Sequence, residues 1–275
     1  MIKDIVVNLS VREGSKAAGD YAISVAGTLE AHLTGIAMAH DTTDPVSGMG
    51  YLRVALIDQL HDNEAAAKAV IDCFIVATAQ AGVSAEPQIL TASIASAADQ
   101  FGRIARRFDL AIVGQTEPKG SAIEATLPVS TLFESGRPVI VVPYIQKAPF
   151  KLDRVMVCWD GSRPAARAIA DAMPLLERAG HVEVAIITNE RGKQNQIEGI
   201  DMGQHLARHG LKVEVHRIPR GDIDIADALL SHSADSGTDF IVMGGYGHSR
   251  LREFVLGGVT RSILRSMAVP VLMSH

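Results

Sequence analysis

The chain has 275 residues, of which 47% are hydrophobic, 21% charged and 4% aromatic. Such a composition suits one large globular domain or two small ones and excludes a disordered chain. Lys and Arg number 26 against 31 Asp and Glu, a net charge of −5, which argues against nucleic-acid binding by phosphate neutralisation. The few aromatics argue equally against single-strand stacking platforms. No run approaches the ~20 apolar residues of a membrane span. The opening MIKDIVVNLS lacks a basic segment followed by an apolar one, so no membrane association and a cytoplasmic location are expected. Cys73 and Cys158 lie in the separate apolar runs DCFIVA and VMVCWD, form no CxxC pair, and are expected to be buried free thiols.

In chain order, short β-branched runs predict strands over 2–9, 33–39, 84–91, 109–114 and 138–143. A second set follows over 153–159, 181–188, 211–218, 239–245 and 269–274. Amphipathic stretches predict helices over Ser15–His32, Leu52–Ala81 and Ala92–Arg107 in the first half. Those of the second half are Arg163–Ala179, Gln196–His209, Asp222–Ser236 and Gly257–Met267. Gly180 and Gly210 stand where a helix end favours a left-handed residue, and Asp222 is a candidate N-cap. Continuous apolar runs such as LAIVG and FIVMG fit strands buried on both faces. Short connections between alternating β and α elements imply right-handed crossovers and a parallel sheet.

The two sets repeat one another. IKDIVVNL parallels DRVMVCW, FDLAIVGQ parallels TDFIVMGG, and RPVIVVP parallels VPVLMSH. The chain therefore reads as a duplication, with domains at 1–146 and 152–275 and YIQKAPFKL (144–152) as the link. Each domain is an α/β unit of about five parallel strands, and such sheets bind ligands beyond the strand C-termini where strand order reverses.

One segment carries recognisable chemistry. After the fourth strand of the second half, glycines fall at Gly244, Gly247, Gly257 and Gly258, and a helix then opens with Val259 and Thr260. A glycine-rich loop running into a helix N-terminus can hold an anion, because free backbone N–H groups and the helix dipole point at it. The spacing is neither a Walker A loop nor a short dinucleotide fingerprint, and Gly192–Lys193 reads as a turn. This segment resembles the G-2x-G-9x-G-(S/T) signature of the universal stress protein family, and the element order of the whole chain resembles its tandem two-domain members. The resemblance implies two adenine-nucleotide alpha hydrolase-like, Rossmann-like domains. It also implies ATP, with or without Mg, in the second domain, acting as a conformational signal in a stress-response regulator. It places Asp160 against the ribose or adenine, Met243 and Gly244 along the ribose, and Gly247, Gly257, Gly258, Val259 and Thr260 around the phosphates. The family's ATP binders usually carry Ser or Thr where this chain has Gly258, a loss that Thr260 would have to compensate.

The first half departs further. Its counterpart of Asp160 falls at Leu9–Ser10, without a carboxylate, and VGQTEPKGSAIEATLP loses the G-2x-G spacing. Pro118 and Pro128 are expected to alter the loop and the start of the next helix. Residues 1–147 hold 11 basic and 16 acidic residues and the remainder 15 of each, so the acidic charge sits in the half without the motif. Asp41–Leu60 is a candidate cover for a separate pocket there. The resemblance further implies an internal pseudo-dimer through 138–143 and 269–274, compatible with a homodimer and with an unidentified protein partner. That pairing also supports the alternative of a nucleotide-free interaction protein.

Other features read as ordinary surface. His205 and His209 share a helix face without an evident third ligand. The run Asp222, Asp224, Asp227 lacks the glycine and distal glutamate of a calcium loop. His248, Arg250 and Arg252 are loop residues near the expected phosphates. No nucleophile elbow or persuasive carboxylate pair is present, so catalytic residues are not assigned, and slow ATP hydrolysis has no residue to carry it.

Overall fold

The computed structural model describes residues 1–12, 16–41, 50–117, 120, 122–188, 196–246 and 258–275, with backbone alone for 40–41, 50–62, 122 and 196–200. The described residues divide into two compact units. The N-terminal unit is Ile2–Arg137 with Tyr144–Phe150, and the C-terminal unit is Met1, Pro138–Pro143 and Lys151–His275.

The N-terminal unit contains β1 (Asp4–Leu9), α1 (Ala17–Leu29), β2 (His32–Asp41), α2 (Gly50–Ala81), β3 (Ala85–Ser93), α3 (Ala97–Ala105), β4 (Leu110–Gly114) and α4 (Ala122–Ser135). Its strands run parallel in the order β3-β2-β1-β4. The C-terminal unit contains β5 (Val139–Val142), β6 (Arg154–Cys158), α5 (Arg163–Leu176), β7 (His181–Thr188), α6 (Gln196–Arg208), β8 (Val213–Pro219), α7 (Ile225–Asp235), β9 (Phe240–Gly244), α8 (Gly258–Ser266) and β10 (Val271–Ser274). Its order is β5-β10-β9-β6-β7-β8, parallel except that β5 runs antiparallel to β10. Val141 faces Val271 and Val139 faces Met273 across that pair. The closing strands of the two sequence repeats therefore pair, as the duplication leads one to expect.

All ten predicted strands are present, and the central ones read as the apolar runs demand. Leu110, Ala111, Ile112 and Val113 of β4 and Phe240, Ile241 and Val242 of β9 are completely buried. The outermost strands β3 and β8 alternate or lie open, as strands with one free edge do. The duplication also extends to side-chain detail. Asp109 Oδ2 accepts the Asp4 N–H at 3.1 Å, and Asp239 Oδ2 accepts the Arg154 N–H at 3.2 Å. In return, the Asp109 and Asp239 amides donate to Asp4 O and Arg154 O. Each pair ties the first strand of its repeat to the fourth.

Several local expectations need correction. Cys73 is exposed on α2 rather than buried, because its apolar run belongs to a helix and turns partly outward with Ile75 and Val76. Cys158 is only half-buried as a residue, yet burial of its thiol, followed by the charges of Asp160 and Glu183, pushes the pKa up to about 12. It is a protonated thiol at neutral pH, not a nucleophile. Asp222 is not the cap of α7; Asp224 takes that position, in extended conformation. Gly210 does adopt a positive φ of 82°. Gly180 does not, and is needed instead for close approach: a Cβ there would stand 2.8 Å from Asp153 O, and its N–H donates to Leu152 O.

Pro128 is expected to alter the start of the helix after β4. Pro128 in fact lies inside the helix. Proline cannot donate to the carbonyl four residues back, which is that of Glu124. Thr116 Oγ1 donates to Glu124 O at 2.8 Å and satisfies it from outside. The linking segment is docked rather than loose: Phe150 N–H donates to Ser24 Oγ at 2.9 Å, and the Phe150 and Tyr21 rings meet edge to face at 5.8 Å.

Candidate functional site

Strand order reverses between β6 and β9 in the C-terminal unit, with β7 and β8 on one side and β10 on the other. The crevice beyond such a reversal is where open parallel sheets take ligands. Three predicted features meet there: the turn after β6, the end of β9 and the start of α8.

The turn after β6 is WDGS. Asp160 is exposed, and its Oδ1 accepts the Ser162 N–H at 2.9 Å. Gly161 takes a positive φ of 75°. Ser162 then caps α5 by accepting the Ala165 N–H at 3.2 Å. Asp160 thus shapes the turn with one carboxylate oxygen while standing at the mouth of the crevice. Trp159 beside it was not singled out by sequence. Its indole N–H is buried without a hydrogen-bond partner among the described residues, as is the Ser274 hydroxyl at the end of β10. Such orphaned groups at a crevice suit a ligand that supplies acceptors.

Met243 is buried within β9, between Cys158 of β6 and Met273 of β10 in register. Gly244 follows it. A Cβ at Gly244 would fall against the Ala165 nitrogen and 2.6 Å from the Pro164 carbonyl carbon. Glycine is therefore required for α5 to start directly on β9, a packing reason the motif alone does not reveal. Gly245 N–H donates to Ser274 O at 2.9 Å, and His275 Nδ1 lies 3.1 Å from Gly245 O. Tyr246 is buried with φ of 57°, an uncommon conformation for a bulky residue. Its N–H donates to Thr260 Oγ1 at 3.2 Å. That bond joins the end of β9 to the first turn of α8. Thr260 is 4% exposed, so its oxygen is already engaged in holding the two ends of the intervening segment together. Burial raises the Tyr246 phenol above its ordinary pKa, with the charge of Arg261 opposing the shift.

Gly258 opens α8, is exposed, and among the described residues nothing lies within 4 Å of where a Cβ would stand. Val259 is half-buried. The first turn of α8 contains no acidic residue. Gly247 and Gly257, together with His248, Arg250 and Arg252, lie outside the described residues, as does the Gly192–Lys193 pair.

The matching crevice of the N-terminal unit lies between β1 and β4 and is furnished differently. Ser10 Oγ donates to Glu124 Oε1 at 3.1 Å, and Arg12 pairs with Glu117 at 3.4 Å. Glu124 stands in the first turn of α4, so that helix start has its own carboxylate. Beside this network is a hollow of about 370 Å³ lined largely by apolar side chains, among them Leu9, Val11, Ile23, Val70 and Phe74. Of its candidate cover, residues 42–49 lie outside the described residues.

The histidine pair behaves as expected. His205 and His209 are exposed, their rings 4.9 Å apart, and no group of potential ligands among the described residues includes them. No described helix is long and apolar enough to cross a membrane.

Fold and crevice together define an α/β protein of mainly parallel strands whose two units furnish the strand-order reversal differently. Comparison with known proteins gives the family. Residues 151–275 match the model of the Universal stress protein family. Over 140 residues the chain is 27% identical to universal stress protein Slr1230 of Synechocystis sp., covering 50% of this chain and 46% of that protein. Over 47 residues it is 34% identical to universal stress protein MJ0577 of Methanocaldococcus jannaschii, covering 17% of this chain and 29% of that protein. The chain thus spans less than half the length of these curated relatives. A universal stress protein from Archaeoglobus fulgidus DSM 4304 shares the fold, with a TM-score of 0.72 and 18% identity over 98% of this chain and 97% of that one. Residues 151–275 are thus a universal stress protein domain.

Proposed function

We propose that the C-terminal unit binds ATP at the β6/β9 reversal and that its occupancy serves as a conformational signal in a stress-response regulator. The observation that carries this reading is the start of α8: an exposed Gly258, no described residue within 4 Å of where its Cβ would stand, and no acid in the first turn. A helix N-terminus so furnished favours phosphate. Asp160 at the mouth and the orphaned Trp159 N–H and Ser274 hydroxyl are the polar groups nearest to hand for the nucleoside. Met243 and Gly244 form the floor and the close helix contact, whereas Gly247, Gly257, Gly258 and Val259 are the residues proposed to surround the phosphates. Magnesium would accompany the phosphates. Occupancy would change the surface around the site, and the changed surface would select a protein partner. No residue of the crevice is positioned as a nucleophile or general base, so signalling rather than turnover is the activity proposed, in the cytoplasm.

The test is one substitution at the start of α8. Gly258→Ser supplies the hydroxyl donor that the family motif carries there. A hydrogen bond to a charged group contributes about 1.5–3 kcal/mol, so MgATP affinity should rise about tenfold or more by calorimetry. Unchanged affinity in that variant would remove the phosphates from α8. The alternative, a nucleotide-free interaction protein, is favoured by one observation, the antiparallel β5–β10 pairing, which commits the closing strands to association without any ligand. Absence of nucleotide binding would leave that reading standing.

A further inference from the structure

Away from the nucleotide crevice, the β7/β8 margin of the C-terminal unit gathers a second set of chemically capable side chains. Glu183 of β7 has a side chain only 1% exposed, in a strand where Val182, Val184, Ala185 and Ile186 are buried apolar residues. A carboxylate so buried is costly unless cations or donors meet it. His232 of α7 does so directly, its Nε2 against Glu183 Oε1. A single partner would satisfy an ordinary internal ion pair. Here a second imidazole comes to the same place: the rings of His216, on β8, and His232 stand 5.7 Å apart. One ligand atom from each of Glu183, His216 and His232 lies within 4.8 Å of the others. Three elements of the fold thus deliver three metal-competent groups to one point.

We propose that Glu183, His216 and His232 form a binding site for a divalent transition-metal ion, zinc being the best match. Two imidazoles and one carboxylate suit zinc and its neighbours and not calcium or magnesium, which take oxygen ligands. Zinc bonds of 2.0–2.2 Å in a tetrahedron put ligand atoms about 3.3 Å apart, so the trio need close only slightly to take the ion, with water in the fourth position. Access runs past His216, whose side chain is 46% exposed on the outermost strand, while Glu183 forms the closed end. Glu214 lies 3.3 Å from His216 Nε2 and from His181 Nε2. It is the kind of outer carboxylate that orients a metal-bound imidazole. Hydrogen bonding from His216, with the nearby charge of His181, holds Glu214 below the usual carboxylate range. A bound ion would clip α7 to β7 and β8.

The experiment uses the full chain, stripped with a chelator, and zinc chloride as the probe. Calorimetry should show one zinc per chain, and the thermal midpoint should rise with zinc. His216→Ala, at a part-exposed position that spares folding, should weaken zinc binding by about tenfold or more, since even outer-shell changes at metal sites cost 10–100-fold. His232→Gln should do the same, while His205→Ala with His209→Ala should leave zinc binding unchanged. No zinc uptake by the parent chain would overturn the proposal. So would equal uptake by the parent and His216→Ala, or loss of uptake in the His205/His209 variant alone.

Discussion

The two crevices of this chain sit at equivalent points of one duplicated fold and are furnished oppositely. Beyond β1 and β4, the N-terminal unit fills its own ligand position: Glu124 occupies the first turn of α4, Ser10 donates to it, and Arg12 pairs with Glu117. Beyond β6 and β9, the C-terminal unit offers Asp160 at the mouth and an acid-free helix start at Gly258. The scaffold is shared down to the Asp109 and Asp239 ties between first and fourth strands. On the proposed reading, anion capacity is decided not by the sheet but by two or three residues at the helix start. A carboxylate supplied by the chain does for α4 what a bound phosphate would do for α8.

The largest expected effect comes from making the second crevice like the first. Gly258→Asp adds a carboxylate to the α8 start, where a side chain has room. It should weaken MgATP binding by about ten- to a hundredfold, roughly 1.5–3 kcal/mol, with the thermal midpoint of the free protein kept or slightly raised. Undiminished affinity would break the comparison. Gly244→Ala tests the packing half of the motif. Its methyl would press on the backbone of Pro164 and Ala165, and stability to urea should fall by about 1–3 kcal/mol, with or without nucleotide.

Glu124→Ala works on the other crevice. Loss of the Ser10 hydrogen bond and of the first-turn acid should cost about 1 kcal/mol in urea unfolding. ATP stoichiometry should stay at one per chain, and a second nucleotide appearing would show that Glu124 alone had kept the first half closed. The smallest effect concerns Asp239. Burial raises its pKa, opposed by the hydrogen bond from Arg154 and the charge of Lys151. A raised carboxylate pKa means the folded state holds the proton more tightly, so the ionised form carries a penalty above that pKa, relieved as pH falls through it. Asp239→Asn keeps the acceptor oxygen and should be at least as stable as the parent at pH 7, with any advantage fading towards acid.

Much of this was legible from residues. Strand runs such as LAIVG and FIVMG announced buried parallel strands, and the repeated segments announced the duplication, because burial on both faces leaves no room for polar alternation. The glycine spacing pointed to the segment between β9 and α8, of which residues 247–257 lie outside the described residues. What sequence could not show was tertiary. The place of Pro128 inside α4 was hidden because the carbonyl it leaves free, that of Glu124, is met by Thr116, a residue outside the helix. The reason for Gly244 lies on α5, about 80 residues away in the chain, where no local pattern points. The acceptance of the Tyr246 N–H by the Thr260 hydroxyl oxygen joins two ends of the chain that no local pattern connects. The Glu183, His216 and His232 trio was missed because its members come from three elements with no shared spacing.

The central claim, that the C-terminal unit alone is an ATP receptor, is tested most directly by calorimetric titration of MgATP into the purified, nucleotide-stripped chain. One site per chain, with a dissociation constant in the micromolar range, is the predicted result. No heat and no thermal shift up to millimolar ATP would contradict it.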